Sequence, residues 1–274
     1  MIALSAAVAL RAQNYQPSPD LDALHVPFDA LLDLHVRDGL AYYNALQADR
    51  AKLGRYIASL NSPAVAAEYG SWDKDRQKAF WINAYNAFVL QTVVNHYPIK
   101  GRAPGYPPNS VRQIPGAFEK LNHMAAGKSL TLDQIETTIL AEFNDPRVFL
   151  VLGRGALGSG RLRSEAFGAK SVERQLEQSK AQFATIPRFI LVDAPNGKVS
   201  VSSILSWRGP AFIAEYADDS FDLPKREPIE RAVIGFLRPH LLAAEEEFIK
   251  KNAFQLGYLP FDWRLNDLSG GRPD

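Results

Sequence analysis

Cysteine is absent from the 274 residues. That excludes disulfides, thiolate nucleophiles and cysteine-ligated zinc. An excess of charge of either sign is also missing, since 31 basic and 30 acidic residues leave a net charge of +1. Such a balance creates no global field for nucleic acid or an anionic membrane, so electrostatic recognition has to be local. No apolar run approaches the roughly 20 residues that a transmembrane helix needs. Histidine is sparse, with five residues. No two of them stand at the i, i+4 spacing of a zinc-binding helix, so neither a metal nor a cofactor is expected.

What remains is 46% hydrophobic, enough to build a sizeable core. The first residues, MIALSAAVALRA, are small and apolar and pass into the polar, proline-bearing QNYQPSPD. That switch reads as the remnant of a secretory signal peptide spanning 1–12, cut after Ala12, and implies an extracytoplasmic location. A basic n-region is missing, because only Met1 precedes the apolar run. Residues 13–25 then read as a flexible lead-in, with Pro17 and Pro19.

Ordered patterning begins at Val26. Phe28, Leu31, Leu32, His35 and Val36 recur at helical spacing, with His35 as a satisfied core histidine. Asp49 is placed to cap a second helix that ends near Leu60. Asp73 opens a long helix, about 73–96, whose middle AFWINAYNAFVLQTVV is apolar nearly all round, which predicts a buried central helix. Within it Asn83 and Asn86 lie on one side and need hydrogen-bond partners, most simply loop backbone groups. Pro104, Pro107, Pro108 and Pro115 predict a long extended loop over 99–118. Thr131 and Gln134 form a capping box for a helix reaching about Phe143.

Arg147 to Arg163, RVFLVLGRGALGSGRLR, is the stretch richest in chemical potential. A strand is expected at Val148–Leu152, followed by a turn holding Gly153, Gly155, Gly158 and Gly160 among Arg154, Arg161 and Arg163. Glycines permit φ > 0 and can converge N–H groups into an anion-binding nest, and arginines add bidentate donors. Gly153-x-Gly155-x-x-Gly158 formally matches the dinucleotide fingerprint. An acidic residue about 20 positions on, after a second strand, is missing, and no second βαβ half follows. Ser159 stands in Gly158-Ser159-Gly160, which lacks the spacing of a nucleophile elbow. Downstream, a helix near Ser171–Thr185 is expected. A hairpin of Phe189–Val192 and Val199–Val201 should turn at Asn196-Gly197. A helix over Ile229–Asn252 is expected to break or kink at Pro239, with a last strand at Phe254–Leu259.

Several of these segments together resemble the family known as domain of unknown function 547. They are LLDLHVRDGLAYYNAL at 31–46, FWINAYNAFVLQTVVNHYP at 80–98, LTLDQIETTIL at 130–140, DPRVFLVLGRGALGSGRLR at 145–163 and YLPFDWRLN at 258–266. The resemblance implies a fold and no settled activity. In the family's usual pattern the glycine loop carries two cysteines, here Arg154 and Ser159, and histidines stand outside it, at the positions of Thr137 after Ile135-Glu136 and Phe149 after Pro146-Arg147-Val148. Glu136 is retained. The implied architecture is α+β, a helix-rich single domain over 26–268 around a small, mainly antiparallel sheet. The expected role is a non-catalytic or catalytically degenerate domain binding a small anionic ligand through Arg154, Arg161, Arg163, Asn83, Asn86, Gly155 and Gly158. One alternative is a hydrolase with Ser159 as nucleophile and Glu136, or a histidine from elsewhere in the chain, as its base. Such a pair is chemically weak, because a serine hydroxyl needs an adjacent base and a carboxylate serves poorly unless burial raises its pKa. A partner-binding scaffold is the other alternative, and no nucleic-acid partner is expected.

Overall fold

The computed structural model describes residues 15–223 and 225–269. The suspected signal remnant lies outside the described residues. Residues 15–25, expected as a flexible lead-in, make specific contacts: the Tyr15 hydroxyl donates to Asp29 at 2.6 Å, and Ala23–His25 form a 3-10 turn with His25 buried.

The helix Lys74–His96 is the axis of the molecule. Asp73 caps it by accepting from the Arg76 N–H at 2.8 Å. Its sides from Lys78 through Leu90 are buried all round, including Phe80, Trp81, Tyr85 and Phe88. A helix without a polar face cannot lie on a surface, so the other elements wrap it. Tyr43–Ala48 and Arg50–Ser59 pack against it, Val26–His35 packs in turn on those two, and Val172–Thr185 also packs against it. The fold is α+β and rich in helix. Its strands form two short hairpins, Val36–Arg37 with Leu40–Ala41 and Asn122–Ala125 with Lys128–Thr131, and one three-stranded sheet. In that sheet Ile190–Asp193 pairs antiparallel with Lys198–Ser202 across the Asn196-Gly197 turn. Gln255–Leu259 adds in parallel after a helical crossover. The helical pattern after Ile229 divides at Pro239 into Pro228–Leu237 and Ala243–Lys250, as a missing N–H and a ring clash require.

Three local expectations are corrected. Val148–Leu152 is not a strand, because Pro146–Leu150 forms a 3-10 turn. Asp145 accepts from the Arg147 N–H at 3.1 Å and Pro146 starts the turn, and a short apolar run buried on every side has no period to distinguish the two. Asp49 stands before its helix without capping it; its carboxylate is taken by His35 at 2.9 Å and Lys52 at 2.8 Å. The Thr131–Gln134 capping box is present, but only Leu132–Gln134 is α-helical. Ile135–Ile139 widens into a π turn, closed by the Leu140 N–H on the Ile135 carbonyl at 2.9 Å.

Asn83 and Asn86 act as clamps on two incoming loops. Asn83 donates to the Phe167 carbonyl at 2.8 Å and accepts from the Phe167 N–H at 2.9 Å. Asn86 donates to the Val151 carbonyl at 3.1 Å and accepts from the Gly153 N–H at 2.8 Å. Replacing either amide with leucine leaves buried backbone groups unpaired. Asn83→Leu and Asn86→Leu should each lower stability by about 1–3 kcal/mol, read as a fall in the urea midpoint. Midpoints equal to the parent's would show that the loops are held by other contacts.

Candidate functional site

Burial and charge converge at one point, where Glu136 meets two arginines. Glu136 stands on the π turn, a local widening found frequently at functional sites, and is 4% exposed. Its Oε1 accepts from Arg154 Nη2 at 2.5 Å and from Arg208 Nη2 at 2.6 Å. Its Oε2 accepts from the Tyr85 hydroxyl at 3.2 Å. Burial by itself pushes the Glu136 carboxyl up, but the guanidiniums of Arg154 and Arg208 outweigh it and hold it below the usual carboxylate range. Burial, and then the Glu136 charge, push Tyr85 well above the ordinary phenol value, so its hydroxyl stays a donor.

Arg154 is 3% exposed, and its remaining reach goes to the Phe149 and Leu152 carbonyls. Arg208 differs in being partly exposed. It lies over the Phe149 ring at 5.2 Å and follows Trp207, which is 41% exposed. Trp207 opens a chain of touching rings through Phe261 (4.9 Å between centroids), Trp263 (4.4 Å) and Tyr106 (5.8 Å).

The glycine loop is folded for packing. Of its four glycines, Gly155 alone has positive φ, at +68°. Gly160 is required by close approach, since an added Cβ would sit 1.5 Å from the Leu150 carbonyl oxygen. The loop's N–H groups are largely spent inside the protein. Gly153 donates to Asn86, Arg154 to Ser159 Oγ at 3.0 Å, Leu157 to Arg264, Gly158 to Asp262, and Ser159 to Ala156. Ser159 is thus buried as an acceptor inside the loop, and no hydrogen bond joins its hydroxyl to a histidine or carboxylate among the described residues.

Arg161 and Arg163 point away from Arg154. Arg161 pairs with exposed Asp38. Arg163 pairs with Glu165 and donates to Ser179 Oγ at 3.1 Å. Together they line a shallow cavity of about 220 Å³ that also holds both of those carboxylates. The sequence-marked residues therefore separate into a buried set (Arg154, Ser159, Glu136, Asn86) and a surface set (Arg161, Arg163). Arg208 and Tyr85 were not foreseen at the site. Arg208 lies in a stretch with no motif, whereas Tyr85 could have been found by asking where a hydroxyl on a buried helix is bonded. No cluster of metal-ligating side chains occurs among the described residues, and no described helix is long and apolar enough to cross a membrane.

The segment that carries Asn83, Asn86, Glu136 and the glycine loop is the part of the chain that resembles a known family. Residues 69–184 match DUF547, a family of proteins of unknown function. No curated protein and no solved structure matches the chain. The DUF547 match assigns no activity, and it stops short of Trp207, Arg208 and Trp263. Of the four positions where the resemblance implies cysteine or histidine, Phe149, Arg154 and Ser159 gather here. Thr137 is exposed and donates to the Asp133 carbonyl at 2.6 Å.

The Glu136 charge is tied to folding. Glu136→Gln leaves Arg154 buried without its counter-ion, which should cost about 3–5 kcal/mol near neutral pH. A carboxyl whose folded pKa lies below its unfolded one contributes stability above the unfolded pKa, and loses it as pH falls through the folded one. The gap in urea midpoint between parent and variant should therefore narrow as pH drops below about 5. A gap independent of pH down to acid unfolding would show that Glu136 is not held ionised.

Proposed function

We propose that this chain is a non-catalytic binding domain for a small anionic ligand, held by Arg208 against the Trp207 ring. One observation carries the reading. A single carboxylate, Glu136, is shared by two guanidiniums, of which Arg154 is buried and Arg208 is partly exposed. A guanidinium already fixed in place by Glu136 loses little side-chain freedom on meeting a carboxylate or phosphate. The adjacent indole offers an apolar face for the rest of the ligand. This moves the anion contact away from Arg161 and Arg163, whose carboxylate neighbours would repel it, and leaves Arg154, Asn83, Asn86, Gly155 and Gly158 as its support.

Among the described residues no base is hydrogen-bonded to the Ser159 hydroxyl, which weighs against the hydrolase alternative. Glu136 is kept ionised and occupied, and Ser159 is turned inward to accept from Arg154. The scaffold alternative has an observation of its own, the ring chain from Trp207 to Tyr106, because exposed aromatics next to arginine are frequent anchors for protein partners.

Titration with phosphate, citrate and short acidic peptides, followed by calorimetry and Trp207 fluorescence, tests the proposal. Arg208→Ala should weaken the binding anion by about 1.5–3 kcal/mol, the range for a hydrogen bond to a charged group. Arg161→Ala should leave it unchanged. Equal affinity of the parent and Arg208→Ala for every anion would overturn the assignment.

A further inference from the structure

A second concavity lies between the helices Val26–His35 and Arg50–Ser59, formed by different residues from the Glu136 site. Its volume is about 440 Å³, within the span of ordinary small-molecule sites, roughly 300–1,000 Å³. Pro27, Ala30, Leu31 and Leu34 line one side, and Tyr56 lines the other. The Tyr56 hydroxyl faces His25 Nδ1 at 2.9 Å, so the ring presents carbon to the cavity. Apolar walls of this kind are filled by carbon rather than by polar solutes.

Charge at the rim is uneven. Asp49 is neutralised by Lys52 at 2.8 Å and by contact with His35. Asp33 lies toward Tyr15, where its charge and that of Asp29 bear on the same phenol. Arg55 also lines the cavity, and it makes no hydrogen bond or ion pair among the described residues. An arginine stem can lie along apolar surface while its guanidinium stays wet and available. An anionic head beside Arg55 gains a bidentate partner.

We infer that this cavity is a binding site for a soluble medium-chain carboxylate, with its hydrocarbon against Ala30, Leu31, Leu34 and Tyr56 and its carboxylate on Arg55. The site is independent of the Glu136–Arg208 centre. The full chain is titrated calorimetrically with octanoate, octan-1-ol and octylammonium, with thermal melting in parallel. Octanoate should bind at least about tenfold tighter than either, which is 1.4 kcal/mol, and should raise the melting temperature by mass action. Arg55→Gln should bring octanoate down to the level of octan-1-ol while leaving the alcohol's affinity unchanged. Ala30→Trp should abolish binding of both by filling the space. Arg208→Ala should leave octanoate affinity as in the parent, which separates this site from the proposed anion site. Arg55 is exposed, so Arg55→Gln keeps the test valid if Ala30→Trp fails to fold. A preference for octylammonium, or octanoate binding that Arg55→Gln does not weaken, would overturn the inference. So would octanoate binding that disappears in Arg208→Ala.

Discussion

A helix that is apolar on every side has to be enclosed, and Lys74–His96 imposes that requirement on the whole chain. Its few buried polar side chains then decide what may pack where, because each must be bonded or cost a few kcal/mol. Lys78 gathers Asp145 and Glu173. Asn83 takes both backbone groups of Phe167, and Asn86 takes one each from Val151 and Gly153. Tyr85 reaches Glu136. The loops are therefore positioned by hydrogen bonds to the axis, and a helix–loop arrangement that apolar packing alone would leave free to slide is set in register.

Glu136 extends the same logic outward. A carboxylate taken out of water is stabilised only where opposite charge and hydrogen bonds offset the lost hydration. Arg154 supplies this from inside the core and Arg208 from the surface, so the buried pair and the exposed indole at Trp207 become one electrostatic unit. The π turn that carries Glu136 follows a capped helical start at Thr131. The carboxyl is held ionised, the serine hydroxyl serves the loop, and the N–H groups expected to cradle an anion are satisfied by Asn86, Ser159, Asp262 and Arg264. At the rim, Arg208 and the ring chain from Trp207 to Tyr106 meet solvent.

Much of this architecture was legible before any coordinates. The stretch at 79–94, apolar nearly all round, announced a buried axis, and the two asparagines within it announced clamps on loop backbone. Asn196-Gly197 marked a hairpin, Thr131 and Gln134 a helix start, and Pro239 a break, each through local chemistry that neighbouring sequence is enough to express. Hydrophobic periodicity failed where burial was complete, as at Val148–Leu152, because a segment enclosed on all sides carries no period. The charge partners were invisible for a different reason. Arg154 and Glu136 are 18 residues apart, Arg208 and Glu136 72, and any of some thirty acids was equally available to either arginine from sequence alone. Local conformation and the identity of the core belong to the sequence, since both depend on near neighbours and on which side chains avoid water. Which of the three loop arginines turns inward, and which distant carboxylate neutralises it, was decided only when the tertiary structure fixed the distances on which Coulomb energy and desolvation depend.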